Sequence, residues 1–305
     1  MHLASGTVMR TSLLFDRPFE EAVATKLADG LGKAGARAHD EDRTIEDRVH
    51  RARVAVKELR AFLRLVRPAL RYYRVLNVGL RDTARRLAHH RDSVVRAQLL
   101  TELFASAPPL SGLGDFAGRI DELAGPPPSP FEQEALLDAF ARDIAALAGN
   151  NVLWRVENRD WTCLADGVAL SYRAARRYMI EAERSGVPND FHDWRKQVKY
   201  HAIQLALLTP LRHGPSEQRC KSVAQLGELL GRHHDFEALA DHLANAAGLE
   251  PDAVRRFNAA IDPLKTGLER TAIRLGGMKF RQPPGKIRHA IAKALRSRND
   301  GAAAG

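Results

Sequence analysis

Apolar residues recur every three or four positions along most of this chain, which is the period of amphipathic helices. The clearest case lies between Val49 and Val66, where Ala52, Val56, Leu59, Leu63 and Val66 follow at spacings of 4, 3, 4 and 3. That spacing predicts one core-facing stripe. A shorter helical stretch runs from Pro18 to Leu31, with Asp16 as candidate cap and a Gly/Ala-rich, charged connector after it. The period is strong from Ile45 to about Leu123. It returns from Phe131 to about Leu275, with breaks at Gly186-Val187-Pro188 and His213-Gly214-Pro215. Residues 105–130 hold Pro108-Pro109, Pro126 to Pro128 and several glycines, which predicts a linker with one short helix. A basic helix, KIRHAIAKALRSR, follows Pro283. Sustained period-two alternation rich in β-branched residues is missing, so the expected class is all-α.

Two segments of the pattern resemble each other. VHRARVAVKELRAFLRLV (Val49–Val66) aligns with FHDWRKQVKYHAIQLALL (Phe191–Leu208), placing His50 on His192, Arg53 on Arg195, Lys57 on Lys199 and Leu63 on Leu205. Each is followed by a related turn, LAHHRD (Leu87–Asp92) and LGRHHD (Leu230–Asp235). The offsets agree, 192 − 50 = 142 and 235 − 92 = 143. Two landmarks at nearly one offset predict a duplicated unit. The expected division is an N-terminal extension over 1–46, a first half over about 47–125, a second half over about 130–298, and a soft tail over 299–305.

Charge changes the picture next. The 305 residues carry a formal net charge of +10, so acidic partners are expected: phosphate polymers, nucleic acid or an anionic surface. From Val49 to Leu100 there are thirteen Arg/Lys against three acids, Glu58, Asp82 and Asp92. A solvated helix face normally alternates both signs, and so dense a block of one sign is better tolerated when an anion compensates it. Aromatic residues make up only 6%, which leans away from readers of single-stranded nucleic acid that stack bases. Helix-turn-helix, zinc-finger and RNP signatures are lacking, so nucleic acid is expected only as a non-specific competitor.

The basic residues are ordered. His50, Arg53, Lys57, Arg60 and Arg64 follow at spacings of 3, 4, 3 and 4, which keeps them on one helix face for roughly 21 Å, beside the buried stripe. A line of cations that long suits an extended polyanion better than a mononucleotide. The second segment repeats only the start, His192, Arg195 and Lys199, with Lys196 beside them; Ala202 and Ala206 stand where Arg60 and Arg64 would recur. A further run, SYRAARRYMIEAER, offers Tyr172, Arg173, Arg176 and Arg177. Asp92 and Asp235 read as caps of following helices, whereas His90, Arg91, His233 and His234 could face the groove, where a phosphate would raise a histidine's pKa.

Other chemistries find little support. Cys163 and Cys220 lie far apart and read as core residues in a reducing cytosol. The first residues lack the apolar core of a signal peptide, and no stretch approaches the length of a membrane span. The glycines of LGGMKF lack the P-loop spacing. His192-Asp193 and His233-His234-Asp235 leave open a metal-dependent phosphohydrolase of HD type, although adjacent helical residues point about 100° apart. With no nucleophile or general base in a supporting motif, a binding protein without cofactor is expected, and not an enzyme.

These residues resemble the CHAD family, the conserved histidine α-helical domain, over about Asp47 to Arg298. VHRARVAVKELRAFL, Arg91-Asp92, SYRAARRY, FHDWRKQVKYHAIQLALL and LGRHHD with DFEALADHL carry the resemblance. It implies two four-helix bundles related by a pseudo-twofold axis around a basic central cavity. It further implies polyphosphate binding by His50, Arg53, Lys57, Arg60, Arg64 and Arg91, and by Arg173, Arg176, Arg177, His192, Arg195, Lys196, Lys199 and His234. Some members associate with polyphosphate granules, so a cytoplasmic address on granules is an expectation of the same kind. The chain departs from the pattern at Ala202, Ala206 and Asp193, which implies a weaker grip on the second side.

Overall fold

A computed structural model describes residues 13, 15–87, 92–106, 119–126, 129–246 and 249–297. Eleven α-helices are seen among them: α1 (Phe19–Ala38), α2 (Ile45–Leu65), α3 (Tyr73–Arg86), α4 (Asp92–Ser106), α5 (Ile120–Ala124), α6 (Pro130–Gly149), α7 (Cys163–Ser185), α8 (Pro188–Leu207), α9 (Glu217–Ala244), α10 (Pro251–Lys279) and α11 (Pro284–Arg296). The described residues contain no strand, only an isolated bridge between Leu70 and Val156. The all-α expectation holds.

Two differences from the sequence reading are instructive. Helix α1 continues through the Gly/Ala-rich connector to Ala38, because Ala34 and Ala38 are fully buried against the first helical set. Small side chains that looked like a linker are a close-packing face. Similarly, LGRHHD is not a turn: Asp235 lies inside α9 and caps nothing, since no residue there breaks the helical hydrogen bonding. Asp92 opens α4.

Helices α1, α2, α3 and α6 pack on one another, as do α7, α8, α9 and α10. The first set closes over Val23, Leu27, Val56, Leu59, Phe62, Leu80, Leu137 and Phe140, all buried. The second closes over Tyr172, Phe191, Trp194, Val198, Leu226, Leu230 and Phe280. Thus α1, from the segment expected as an extension, packs in the first set, and so does α6, which follows the linker. Helices α4 and α5 lie against α9 and α10 with Leu100, Leu103, Leu123, Phe236 and Phe257, and α11 lies along α7.

The sets meet where α2 crosses α7 and α8. At Gly167 of α7 a Cβ would fall on the carbonyl oxygen of Leu65, so the approach requires glycine. Nearby, the buried Gln204 Nε2 of α8 donates to the carbonyl of Ala61 at 3.2 Å. None of the helices among the described residues is long and apolar enough to cross a membrane.

Candidate anion-binding face

Helix α2 begins where Thr44 Oγ1 accepts the N–H of Asp47, with Glu46 and Asp47 favourably placed in the first turn. Buried Arg48 fixes this end by donating to the Ala38 carbonyl at the end of α1 and to Glu134 of α6 at 2.6 Å and 3.0 Å. The stripe of Ala52, Val56, Leu59, Leu63 and Val66 is fully buried. With that face inward, the basic residues fall along the margin of the helix, between α3 and α8.

Along this margin each cation has a different setting. His50 is half-buried. Arg53 Nη1 donates to the Leu87 carbonyl at 2.7 Å, at the negative end of α3. Arg60 Nε donates to Asn77 Oδ1 at 3.3 Å, and Arg64 Nη1 donates to the Tyr73 hydroxyl at 2.7 Å. The guanidinium of Arg64 lies 4.3 Å from the ring centre of Tyr200 on α8, and that of Arg60 lies 5.7 Å from it. Burial lowers the pKa of Arg60; Tyr200 opposes the shift and Arg64 adds to it. Among the described residues, Arg64 Nε is buried with no hydrogen-bond partner.

Helix α8 starts cleanly because Gly186, at φ +65°, ends α7 and Pro188 occupies the first turn. Its Phe191, Trp194, Val198 and Leu205 turn inward, which leaves His192, Arg195 and Lys199 on the α9 side. There Gly227 and Gly231 of α9 make room for the stems: a Cβ at Gly227 would stand 3.3 Å from Lys199 Cγ, and one at Gly231 would stand 3.4 Å from Lys199 Nζ and 3.8 Å from Arg195 Nε. Lys199 is pushed down to about 8, by burial first and then by Arg195, with Glu228 opposing and Lys57 of α2 adding. Its Nζ stands 3.8 Å from Glu228, an exposed carboxylate. Arg195 is shifted down by burial, against Asp235 and Glu228, and its Nε has no partner among the described residues. Lys196 is exposed and held by Asp193 at 2.9 Å.

His192 Nδ1 stands 3.1 Å from His234 Nδ1 of α9, with ring centres 4.2 Å apart. Burial, then Lys196 and Arg195, pushes His192 down to about 4; burial, then Arg195 and His192, pushes His234 down to about 3. Both rings are neutral at pH 7.

The structure therefore brings Lys57, Arg60 and Arg64 of α2 to Arg195, Lys199 and Tyr200 of α8, and His192 to His234. The α7 arginines have described neighbours of their own. Arg173 and Arg177 are exposed, Arg177 lying 4.7 Å over Tyr178. Arg176 shares the surroundings of Tyr172 with Arg219, beside the fully buried His201, which stands nearly half a turn around α8 from His192. Arg91 lies outside the described residues.

The HD-type ligand sets do not meet at a point. His192 faces His234, and Asp193 holds Lys196. His233 turns away to Glu269 of α10 at 2.8 Å. The ligand atoms of His233, Glu237 and Glu269 do lie within 4.8 Å of one another, but the Lys265 ammonium, 3.1 Å from Glu237, already balances charge there. Sequence reasoning missed Tyr200, Tyr73, Asn77, Gly227 and Gly231. Two glycines at i and i+4 facing a Lys/Arg pair were the signal that could have found the last two.

The sequence matches the CHAD domain over residues 32–244. The chain belongs to the CHAD family. Two solved structures share the CHAD-type fold. The CHAD domain from the plant Ricinus communis has a TM-score of 0.58 at 16% identity, covering 95% of this chain and 96% of its own. PptA from Streptomyces chartreusis has a TM-score of 0.57 at 16% identity, covering 86% of this chain and 100% of its own. No curated protein matches the sequence.

Proposed function

We propose that this CHAD protein binds long anionic polymers, inorganic polyphosphate before others, along the face where α2 meets α8, and that it acts by binding and not by catalysis. One observation carries the reading: cations of both helices share the same joint, where Lys199 is held well below the ordinary lysine range by burial first and then by Arg195, with a smaller contribution from Lys57 of the opposite helix. Desolvating like charges together is unfavourable, and a polyanion crossing the joint reverses the sign of that interaction. Among the described residues, Arg64 Nε and Arg195 Nε have no hydrogen-bond partner, and arginine suits bidentate phosphate recognition. Affinity would come from neutralised phosphates and released counterions.

In this reading the two four-helix sets are copies of one duplicated unit, the joint between them is the basic groove, and His50, Arg53, His192, Lys196 and His234 extend it. The site needs no cofactor, and a cytoplasmic location on polyphosphate granules is the corresponding address. The deciding experiment is calorimetric titration with long-chain polyphosphate at two salt concentrations. Wild type is compared with a variant carrying Arg53→Ala, Lys57→Ala, Arg195→Ala and Lys199→Ala. Tight, salt-sensitive binding that collapses in a folded variant is expected. Weak binding that is equal in both proteins overturns the reading. Equal affinity for duplex DNA at physiological salt would replace polyphosphate with general phosphate-backbone binding.

A further inference from the structure

The His192–His234 contact sets a limit on charge that the other cations of the face do not share. The two Nδ1 atoms stand 3.1 Å apart, so one ring donates its Nδ1–H and the other accepts with its lone pair. If both rings were protonated, two N–H groups would face each other, and the contact could not persist. An oxygen placed between the rings removes that conflict, because one oxyanion oxygen accepts both N–H groups.

The surroundings favour such an exchange. On α8, Lys196 and Arg195 disfavour a charged His192, and Asp193, held by Lys196, opposes them weakly. On α9, His233 also disfavours a charged His234, while Asp235 acts on Arg195. Among the described residues, the elements packed beyond contribute no carboxylate to either ring: Glu269 of α10 is bonded to His233, and Glu102 of α4 to Arg232. Among the described residues, each ring's hydrogen-bond partner is the other ring. Both rings are only half-buried, so a ligand can reach them.

We propose that His192 and His234 form a proton-linked clasp, closed as a neutral pair in the free protein and opened by a phosphate oxygen that bridges the two protonated rings. This rests on the polyphosphate reading of the same face and adds its regulation: binding consumes protons, so mild acid tightens the grip and alkali loosens it. If the anion returns even one ring to its ordinary value of 6.5, linkage gives about tenfold tighter binding at about pH 5.5 than at about pH 7.5, with close to one proton taken up at the lower pH.

The test is titration of the full chain with long-chain polyphosphate, at both pH values, in buffers of different ionisation enthalpy. Wild type should show a buffer-dependent enthalpy and the tenfold pH effect. His192→Gln and His234→Gln should bind more weakly and lose most of both. Nitrogen-15 spectra of the wild-type histidine rings supply a second measurement if a variant fails to fold: two rings should titrate near pH 4 or below in the free protein and above pH 6 in the complex. Tight binding without proton uptake overturns the clasp and leaves the polyphosphate reading standing. Uptake that persists in both folded variants assigns the proton elsewhere, to Lys199 first, and also overturns it. No binding to wild type at low salt removes both.

Discussion

Helices α2 and α8 begin from nearly the same basic pattern, yet their cations are held in opposite ways. On α2, Arg60 and Arg64 sit against Tyr200, Tyr73 and Asn77, so aromatic faces and neutral oxygens stabilise them. On α8, Arg195 and Lys199 lie over two glycines of α9 and feel Glu228 and Asp235 from the side. The α2 guanidiniums are fixed charges with little freedom to move. Lys199, at about 8, sits close to losing its proton, and the adjoining histidines have already lost theirs. Helix α2 thus adds two fixed guanidiniums where α8 carries Ala202 and Ala206, while α8 holds a titratable cluster of Lys199, His192 and its α9 partner His234. The lesson is that a stripe specifies which charges share a face, whereas the neighbouring helices decide how each charge behaves.

The harshest way to break the comparison is to push the two helix sets apart. Gly167→Ala places a methyl group on the Leu65 carbonyl and should cost about 3 kcal/mol or more, read as a lower melting temperature. In the proposed reading polyphosphate binding should fall with it, because α2 packs against α8 beside this joint.

The titratable groups can be tested without mutation. His201, pushed down to about 3 by burial and then by Arg219, His234 and His192 all have folded values below the ordinary 6.5. The unfolded chain therefore binds more protons below about pH 6.5. Stability is fully present above that pH and is lost as pH falls toward 4. His201 alone should contribute a loss of about 2–3 kcal/mol between about pH 6.5 and 4.5, visible in denaturant titrations and reduced in His201→Phe.

Removing cations from one side at a time sharpens the contrast. Arg60→Met with Arg64→Met should lower polyphosphate affinity about tenfold and reduce the salt slope by about 1.4, nearly independently of pH. Arg195→Met with Lys199→Met should do the same at pH 7. The difference between that variant and wild type should shrink as pH rises through about 8, where Lys199 loses its charge.

Tyr200 separates ring from hydroxyl. Tyr200→Phe keeps the face on which Arg60 and Arg64 lie, and should bind polyphosphate within about twofold of wild type. Tyr200→Leu keeps the burial but removes the face, and should lose about fivefold. The smallest effect is expected at the exposed Lys196–Asp193 pair, where Asp193→Asn should change stability by less than about 0.5 kcal/mol and tighten binding slightly.

Much of this was legible along the chain. The period of three and four gave the helices, and the fully buried Val56, Leu59 and Leu63 were readable from spacing alone, as was the margin of basic residues beside them. The short helix in the proline-rich linker and the break at Gly186 follow from local backbone chemistry. Where local rules failed, packing had won. Ala34 and Ala38 fall in a stretch that reads as linker because small residues lack a hydrophobic signal, yet both are fully buried in the packed helix α1. Asp235 looked like a cap because a mid-helix aspartate and a capping one are identical in sequence. Arg176 shares the basic character of Lys57 but reaches the surroundings of Tyr172 and Arg219, a difference set by the rotation of α7 in its bundle.

The sequence by itself determined that the protein is helical, basic, and marked by a line of cations along one margin of a buried helix, because helical geometry ties spacing to direction. Only the tertiary structure decided which cations meet, that α9 supplies two glycines and a histidine to α8, and that Tyr200 crosses to the arginines of α2. Those pairings join residues far apart in the chain, and their protonation depends on burial and neighbouring charge, neither of which a one-dimensional spacing encodes.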